Sequence, residues 1–272
     1  MGDWFRTTPI WLLGFLLFVA TLACALAGSG VNRWYTKRFG GKDRLSETQV
    51  GYVVSIVYAL LGLLLGFTFQ VAIERFDLRR QLVLRDENAI EILYLKVQLL
   101  DEPHRSRLSG LLVTYATNHL ELAQARRGDP NAGKLLAEDD RLLRELWTTV
   151  IPAFESVKNL DFSTSFVDSA ADVVNIDSDR RAARLPPIPM TIIVVLIFYS
   201  LVAAMVLGAV MRSRKSEVAS AVLLGLSTLV LMLITDINRP VDGTIHESQT
   251  PMRQMLLGLQ SNPPAVYRPP AS

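Results

Sequence analysis

Residues 50–76 read VGYVVSIVYALLGLLLGFTFQVAIERF, and the reading of that stretch decides the fold. From residue 48 to residue 73 no side chain carries a charge; from Glu74 onward charges are dense. A helix crossing the hydrocarbon layer needs about 20 apolar residues at a rise of roughly 1.5 Å each. In lipid it must also satisfy every backbone N–H and C=O internally, which a helix does. The stretch therefore reads as a membrane helix. No breaker follows before Asp101, so the same helix is predicted to leave the membrane and run on for about fifty residues in all.

Three further stretches, 7–32, 185–211 and 218–235, also lack charge. Over its 272 residues the chain is 50% hydrophobic and 20% charged. That average suits a soluble domain as well, so the distribution carries the argument. The chain reads as an all-α polytopic membrane protein with four transmembrane helices. The first stretch has two readings. It is an uncleaved membrane helix, or a secretory signal with Ala25-Leu26-Ala27 as its cleavage site; the long apolar run from Pro9 to Gly28 favours the helix. A lipoprotein signal ending at Cys24 would want leucine where Thr21 stands. Cys24 is the only cysteine, so no intramolecular disulfide forms.

The organisation follows. Residues 1–73 hold the first two transmembrane helices, 74–184 a helical block, 185–239 the other two transmembrane helices, and 240–272 a tail. The end of the tail, SNPPAVYRPPAS, is Pro-rich and is expected to be disordered. The block carries 16 Lys and Arg against 19 Asp and Glu. Ile90, Leu93, Val97 and Leu100 recur at helical steps in it, with Ile92, Leu95 and Leu99 widening the face. Asp101-Glu102-Pro103 predicts a stop and restart, with Asp101 as N-cap and Pro103 in the first turn. The next helix aligns Leu108, Leu111, Leu112, Tyr115, His119 and Leu122, and ends at the Gly128-Asp129-Pro130-Asn131 cluster. A third runs from Lys134 through Leu142, Leu143, Leu146 and Trp147 to a break or kink at Pro152. A fourth covers Ser163 to Arg184, closed by Pro186-Pro187.

Catalytic chemistry is scarce. There is no Gly-rich phosphate loop, serine elbow or paired cysteine motif. His104, His119 and His246 fall on separate elements with no second ligand at metal spacing, and His119 is expected at the edge of an apolar face. Glu138-Asp139-Asp140 reads as a solvated helix start in preference to a cation site. Arg79, Arg80 and Arg85 read as a lipid-headgroup contact or, preferably, as one half of a salt-bridged face with Glu74, Asp77 and Asp86. No catalytic residue, metal, cofactor or nucleic-acid partner is expected, and an enzyme is disfavoured.

On the second span, Gly62 and Gly66 form a GxxxG pair, extended upstream by Ser55 and Ala59. Small residues at this spacing let helix backbones approach in lipid, so Ser55, Gly62 and Gly66 are candidate packing positions. Thr68 and Gln70 are polar groups near membrane depth that prefer a protein or water-lined partner. A sharper reading stacks Ala59, Leu63 and Phe67 as an apolar constriction on a pore.

Residues 233–246, LITDINRPVDGTIH, set a puzzle of their own. Asp236 lies at the C-terminal end of the fourth span, where the helix dipole disfavours an anion by roughly 0.3–1 kcal/mol. The expected compensation is an ion pair with Arg239, or with Arg75, Arg79 or Arg184 at the neighbouring span ends. The alternative is solvation in the headgroup layer. Pro240 is expected to end the helix and Gly243 to turn the chain back along it.

Taken together, LLGFTFQVAIERFDLRRQLVLRDENAI (64–90) with LSGLLVTYA (108–116), DRRAARLPPIPMTIIVVLIFYS (179–200), and LITDINRPVDGTIH with MRQMLLGL (252–259) resemble the bestrophin-like family, in particular its bacterial branch. The likeness to true bestrophins rests on layout and on short stretches such as GFTF, IPMTIIVVLIFYS and INRP. It implies a homo-oligomer, a pentamer as in bestrophins, that conducts anions of the chloride type. The second membrane helix would line the pore, with the neck falling on Ala59, Leu63 and Phe67. Membrane lipids and anions are the implied partners, and the bacterial inner membrane the implied location.

Two departures matter. The neck would hold one aromatic residue, and VDGTIHES carries only Asp242 and Glu247 where animal channels have an acidic calcium clasp. Calcium gating is therefore not expected. The competing function class is a non-conducting membrane scaffold or sensor whose helical block binds a partner protein. Orientation is contested as well. The short loops 33–44 and 212–215 carry eight Lys and Arg, and the positive-inside rule then leans against the family layout. That layout places the central block in the cytoplasm.

Overall fold

The computed structural model of the chain describes residues 8–39, 47–125, 129–183, 188–210, 214–239, 243–245 and 247–267. Among them every regular element is helical. The helices are α1 Ile10–Phe39, α2 Glu47–Val97, α3 His104–Gln124, α4 Ala132–Val157, α5 Ser163–Ala183, α6 Met190–Val210, α7 Arg214–Ile237 and α8 Thr250–Ser261. Four of them, α1, α2, α6 and α7, are long and apolar enough to cross a membrane. At 51 residues, α2 continues well beyond its uncharged part, as the lack of a breaker requires.

One compact unit comprises residues 1–75 and 186–245. Its tightest crossing joins α1 to α6, where Ala25 and Ala204 are fully buried. A Cβ added at Gly208 would stand 1.8 Å from the Ala25 carbonyl oxygen, and one at Gly28 2.0 Å from that of Met205. The Asn32 amide donates across the same crossing to the Ala209 carbonyl at 2.7 Å. Small residues thus permit a close approach at this crossing. A Cβ at Gly62 or Gly66 would meet nothing within 4 Å. The GxxxG pair points away from the other helices of its own chain, and the contact falls to two glycines that share no motif.

The other unit comprises residues 76–185 and 246–272. Its core is built from Ile90, Leu93, Tyr94 and Val97 of α2, Leu108, Leu112 and Tyr115 of α3, Leu142, Leu146 and Val150 of α4, and Phe166, Ala170 and Val173 of α5. Met252, Met255, Leu256 and Leu259 of α8 complete it. Each such Val, Leu, Ile, Phe or Met side chain stabilises by about 1.5–3 kcal/mol when fully buried. The Tyr94 hydroxyl donates to the Asn262 carbonyl at 2.9 Å and fastens the end of α8.

Three local expectations change. Pro103 caps α3 from outside the helix, without a side-chain hydrogen bond. The carboxylate that accepts from the first turn is that of Glu102, from the Ser106 N–H at 3.3 Å, and not that of Asp101. Asp101 is already turning into the helix through its carbonyl, which accepts from the Arg105 N–H at 3.2 Å. Secondly, α4 runs through Pro152 to Val157. Pro152 is exposed, so water can serve the carbonyl that its missing N–H leaves unbonded. Thirdly, within the Pro-rich end Pro264–Tyr267 form a 3-10 turn, while residues 268–272 lie outside the described residues.

Candidate functional site

The membrane part of α2 presents one unbroken exposed face. Ser55, Ala59, Gly62, Leu63, Gly66 and Phe67 all lie on it. Leu63 is 54% and Phe67 64% exposed, whereas Leu61 and Leu65 on the other side are 2% and 5% exposed. The contrast follows from the 3.6-residue period: one side of α2 packs within the chain and the other is left for something else. The polar groups beside it are satisfied locally. Thr68 donates to the Leu64 carbonyl at 2.7 Å, and the Gln70 amide to Glu74 at 3.0 Å.

A second arrangement lies at the end of α7, around Asp236 to Arg239 and Gly243 to Ile245. Asp236, next to last in α7, is buried. Its carboxylate accepts the Thr244 N–H at 2.8 Å, the Ile245 N–H at 3.2 Å and the Thr244 hydroxyl. These donors offset the misplaced charge at the helix end, so Asp236 is held by the returning loop. The expected arginine partner is engaged elsewhere, since Arg239 donates Nη1 to the Thr8 carbonyl at 2.7 Å. Asn238 accepts the Ile188 N–H at 3.2 Å and so ties the start of α6 to the end of α7. Gly243 is required by space. A Cβ there would lie 2.6 Å from the Asp236 carbonyl oxygen and 2.7 Å from that of Arg239.

Asp236→Ala strips the acceptor from two backbone N–H groups and a hydroxyl. Hydrogen bonds to a charged group contribute about 1.5–3 kcal/mol each. The variant is expected to melt several degrees below wild type in detergent, and an unchanged melting curve would refute this role for Asp236.

Charged side chains also converge in the core formed by α2 to α5. His119 is buried, with Asp86 and Asp139 fully enclosed on either side of it. Its Nε2 lies 3.2 Å from Asp86 Oδ2, its Nδ1 3.2 Å from Asp139 Oδ1, and Nδ1 4.0 Å from Asp177 Oδ1. Arg180 donates to Asp86. Arg181 donates Nη2 to Asp139 at 3.0 Å and pairs through Nε with Asp177 at 2.6 Å. Asn118 adds a hydrogen bond to Asp139 at 3.1 Å.

Burial opposes a charge on the imidazole. The hydrogen bonds to Asp139 and Asp86 outweigh it, and the His119 pKa lies above 6.5. Burial also raises the Asp139 carboxyl, but bonds from His119, then Asn118 and Arg181, hold it below 3.8. Asp177 is pushed up to about 6, chiefly by burial and then by the charge of Asp139, against the pull of Arg181. One ligand atom each from His119, Asp139 and Asp177 fall within 4.8 Å of one another, close enough to share a metal ion. Arg181 already occupies both carboxylates, which gives the trio the character of an ion-pair cluster.

With the fold and these sites in place, comparison decides the family. The Bestrophin-like domain matches residues 23–252. The chain belongs to the bestrophin-like family. Crystal structures of a bacterial bestrophin homolog from Klebsiella pneumoniae share the fold. One, carrying a tryptophan-to-alanine change, superposes with a TM-score of 0.70 at 16% identity over 94% of this chain and 97% of that one. The structure phased on zinc gives 0.68 at 15% identity over 91% and 96%. A tyrosine-to-alanine variant gives 0.67 at 16% identity over 91% and 96%. No curated protein matches the chain. The bestrophin-like family is of channel type, and the four apolar helices make this member a membrane protein.

The structure distributes the remaining predicted residues of this bestrophin-like protein as follows. Arg75 is exposed. Arg79 is buried and pairs with Glu247 just before α8. Arg184, Pro240 and Asp242 lie outside the described residues. The local salt-bridged face expected around Arg79 and Asp86 is replaced by pairs between distant segments, because both residues point into a core. Sequence spacing did not reveal the charged cluster: it puts His119 at the edge of a face and Asp139 in a solvated helix start, and the structure buries both. A signal was present: Asp86 lies four residues before Ile90, His119 four after Tyr115, Asp139 three before Leu142, and Asp177 four after Val173. Each apolar stripe, extended by one turn, lands on a charged residue.

Proposed function

We propose that this bestrophin-like protein is a homo-oligomeric anion channel of the bacterial inner membrane, with α2 lining the pore and the central helical block facing the cytoplasm. The observation that carries the reading is the exposed face of α2. Leu63 and Phe67 stand out from the chain while the opposite side of the helix is buried. A polypeptide leaves such a face either for lipid or for copies of itself. The small residues Ser55, Ala59, Gly62 and Gly66 on it suit close approach between helices better than lipid contact. In a ring of copies, a pentamer by analogy with bestrophins, Ala59, Leu63 and Phe67 would form successive apolar collars. Such a neck gates by excluding water from a narrow passage.

The direct test is anion efflux from liposomes holding the purified protein, comparing wild type with Leu63→Ala/Phe67→Ala. Removal of the collars is expected to raise flux roughly tenfold or to relax selectivity, equivalent to about 1.4 kcal/mol of barrier. Identical flux in both proteins would remove the neck from these residues. A different observation favours the scaffold reading. An apolar groove of about 500 Å³ lies between α4 and α5, lined by Leu143, Trp147, Ala171 and Val174. No flux from inserted, folded protein would transfer the function to that surface.

A further inference from the structure

Among the described residues, the buried charges around His119 form a closed set. Asp86 comes from α2, Tyr115 and His119 from α3, Asp139 and Asp140 from α4, and Asp177, Arg180 and Arg181 from α5. Asp86, Asp139 and Asp177 are enclosed, as are His119 and Arg180; Arg181 is one-third exposed and also reaches the more open Asp140. Three buried carboxylates therefore face two guanidinium groups, and an imidazolium at His119 makes the balance even. Without that proton the imidazole can donate through one nitrogen only. One ring nitrogen then faces the carboxylate of Asp86 or of Asp139 at 3.2 Å with no proton between them, and one negative charge stays uncompensated in the core. Buried charges left in that condition are strongly destabilising. Tyr115, whose ring centroid stands 5.2 Å from that of His119, packs against the imidazole. Its own hydroxyl is held well above its usual range by burial and by the three carboxylates, so it stays neutral throughout.

We propose that His119 is a proton-operated latch: its imidazolium ties α3 to α2 and α4 through Asp86 and Asp139, and loss of the proton loosens this helical unit.

The sign follows from the groups named. A His119 pKa above 6.5 in the folded protein means that the stabilisation is complete below 6.5 and is lost as pH rises past it. The raised pKa of Asp177 acts in the same direction but between 3.8 and about 6. The lowered pKa of Asp139 acts below 3.8, on the acid side. The window above pH 6.5 therefore belongs to His119 alone within this cluster.

Hydrogen exchange of the full-length protein in detergent or nanodiscs reads the latch directly. Exchange of α3 and α4 peptides, corrected for the intrinsic pH dependence of the chemistry, is to be followed from pH 6 to 9. Between 6.5 and the pKa of the folded state the opening equilibrium should grow about tenfold per pH unit, the slope for one proton. His119→Gln, which cannot titrate, should exchange faster than wild type at pH 6 and lose the slope. His119→Arg, a permanent cation at the same place, should keep slow exchange without the slope. A flat wild-type profile overturns the proposal, and so does an equal slope in the Gln variant. Should both variants fail to fold, the wild-type profile alone still decides: no slope, no latch.

Discussion

Gly208→Val is expected to prevent α1 and α6 from docking and to cut the yield of folded protein severely. The first side-chain atom would stand 1.8 Å from the Ala25 carbonyl oxygen, well inside any contact distance, and the obstacle is backbone that cannot rotate aside. The helices would have to part by more than an ångström. That forfeits the packing of Ala25 and Ala204, both fully buried, and stretches the bond from Asn32 to Ala209. Overpacking in a filled core costs about 1–3 kcal/mol and more where the backbone must move; here the backbone is the obstacle. Gly110→Ala supplies the control, since a Cβ there meets nothing within 4 Å. In a helix interior that change should gain about 0.5–1 kcal/mol. Thermal melts and yields in detergent compare the two, and a Gly208→Val protein that melts like wild type would disprove the crossing.

The second large effect is expected of Asp86→Ala. The substitution leaves Arg180, itself buried, without its carboxylate, and removes one of the two carboxylates that flank the His119 ring at 3.2 Å. Removing one partner of a buried ion pair costs about 3–5 kcal/mol, because the other charge remains in a medium that cannot solvate it. The surface pair of Glu138 and Arg141 behaves otherwise. Both groups are exposed, water screens them, and Glu138→Ala should leave the melting temperature unchanged. The contrast between the two variants matters more than either value. Equal melting temperatures would show that the charges of the core are solvated.

Much of the architecture was legible in residue order. Four uncharged stretches gave four membrane helices, because a bilayer offers no partner for backbone groups and so forces the apolar run to be helical. The length of α2 followed from the absence of any breaker between Gly51 and Val97. The core positions of α3, such as Leu108, Leu112 and Tyr115, followed from period alone. The stripe of Ala59, Leu63 and Phe67 was likewise readable, and the structure leaves it exposed.

What periodicity cannot supply is the identity of the neighbour. The sequence contains the acidic residues at 86, 139 and 177 and the basic ones at 180 and 181, each surrounded by nearer charges that offer plausible local partners. Within single helices these would pair at three- or four-residue steps for a few tenths of a kcal/mol. Once the helices pack, burial excludes water and makes an unpaired charge far more costly, so distant partners displace the local ones. The same reason moved Asp236 from the expected arginine to the N–H groups of Thr244 and Ile245. Within the chain, the close glycine crossing is made by Gly28 and Gly208, which no spacing motif marks. By itself the sequence determined that α1 to α7 are helices and which of them are apolar enough to enter the membrane, since these depend on hydration and on a fixed helical period. By contrast, α8 lay unread in the tail until its methionines and leucines were seen to complete a core. Only the tertiary structure decided which faces meet and which charges share a core, since these depend on separations that no spacing along the chain records.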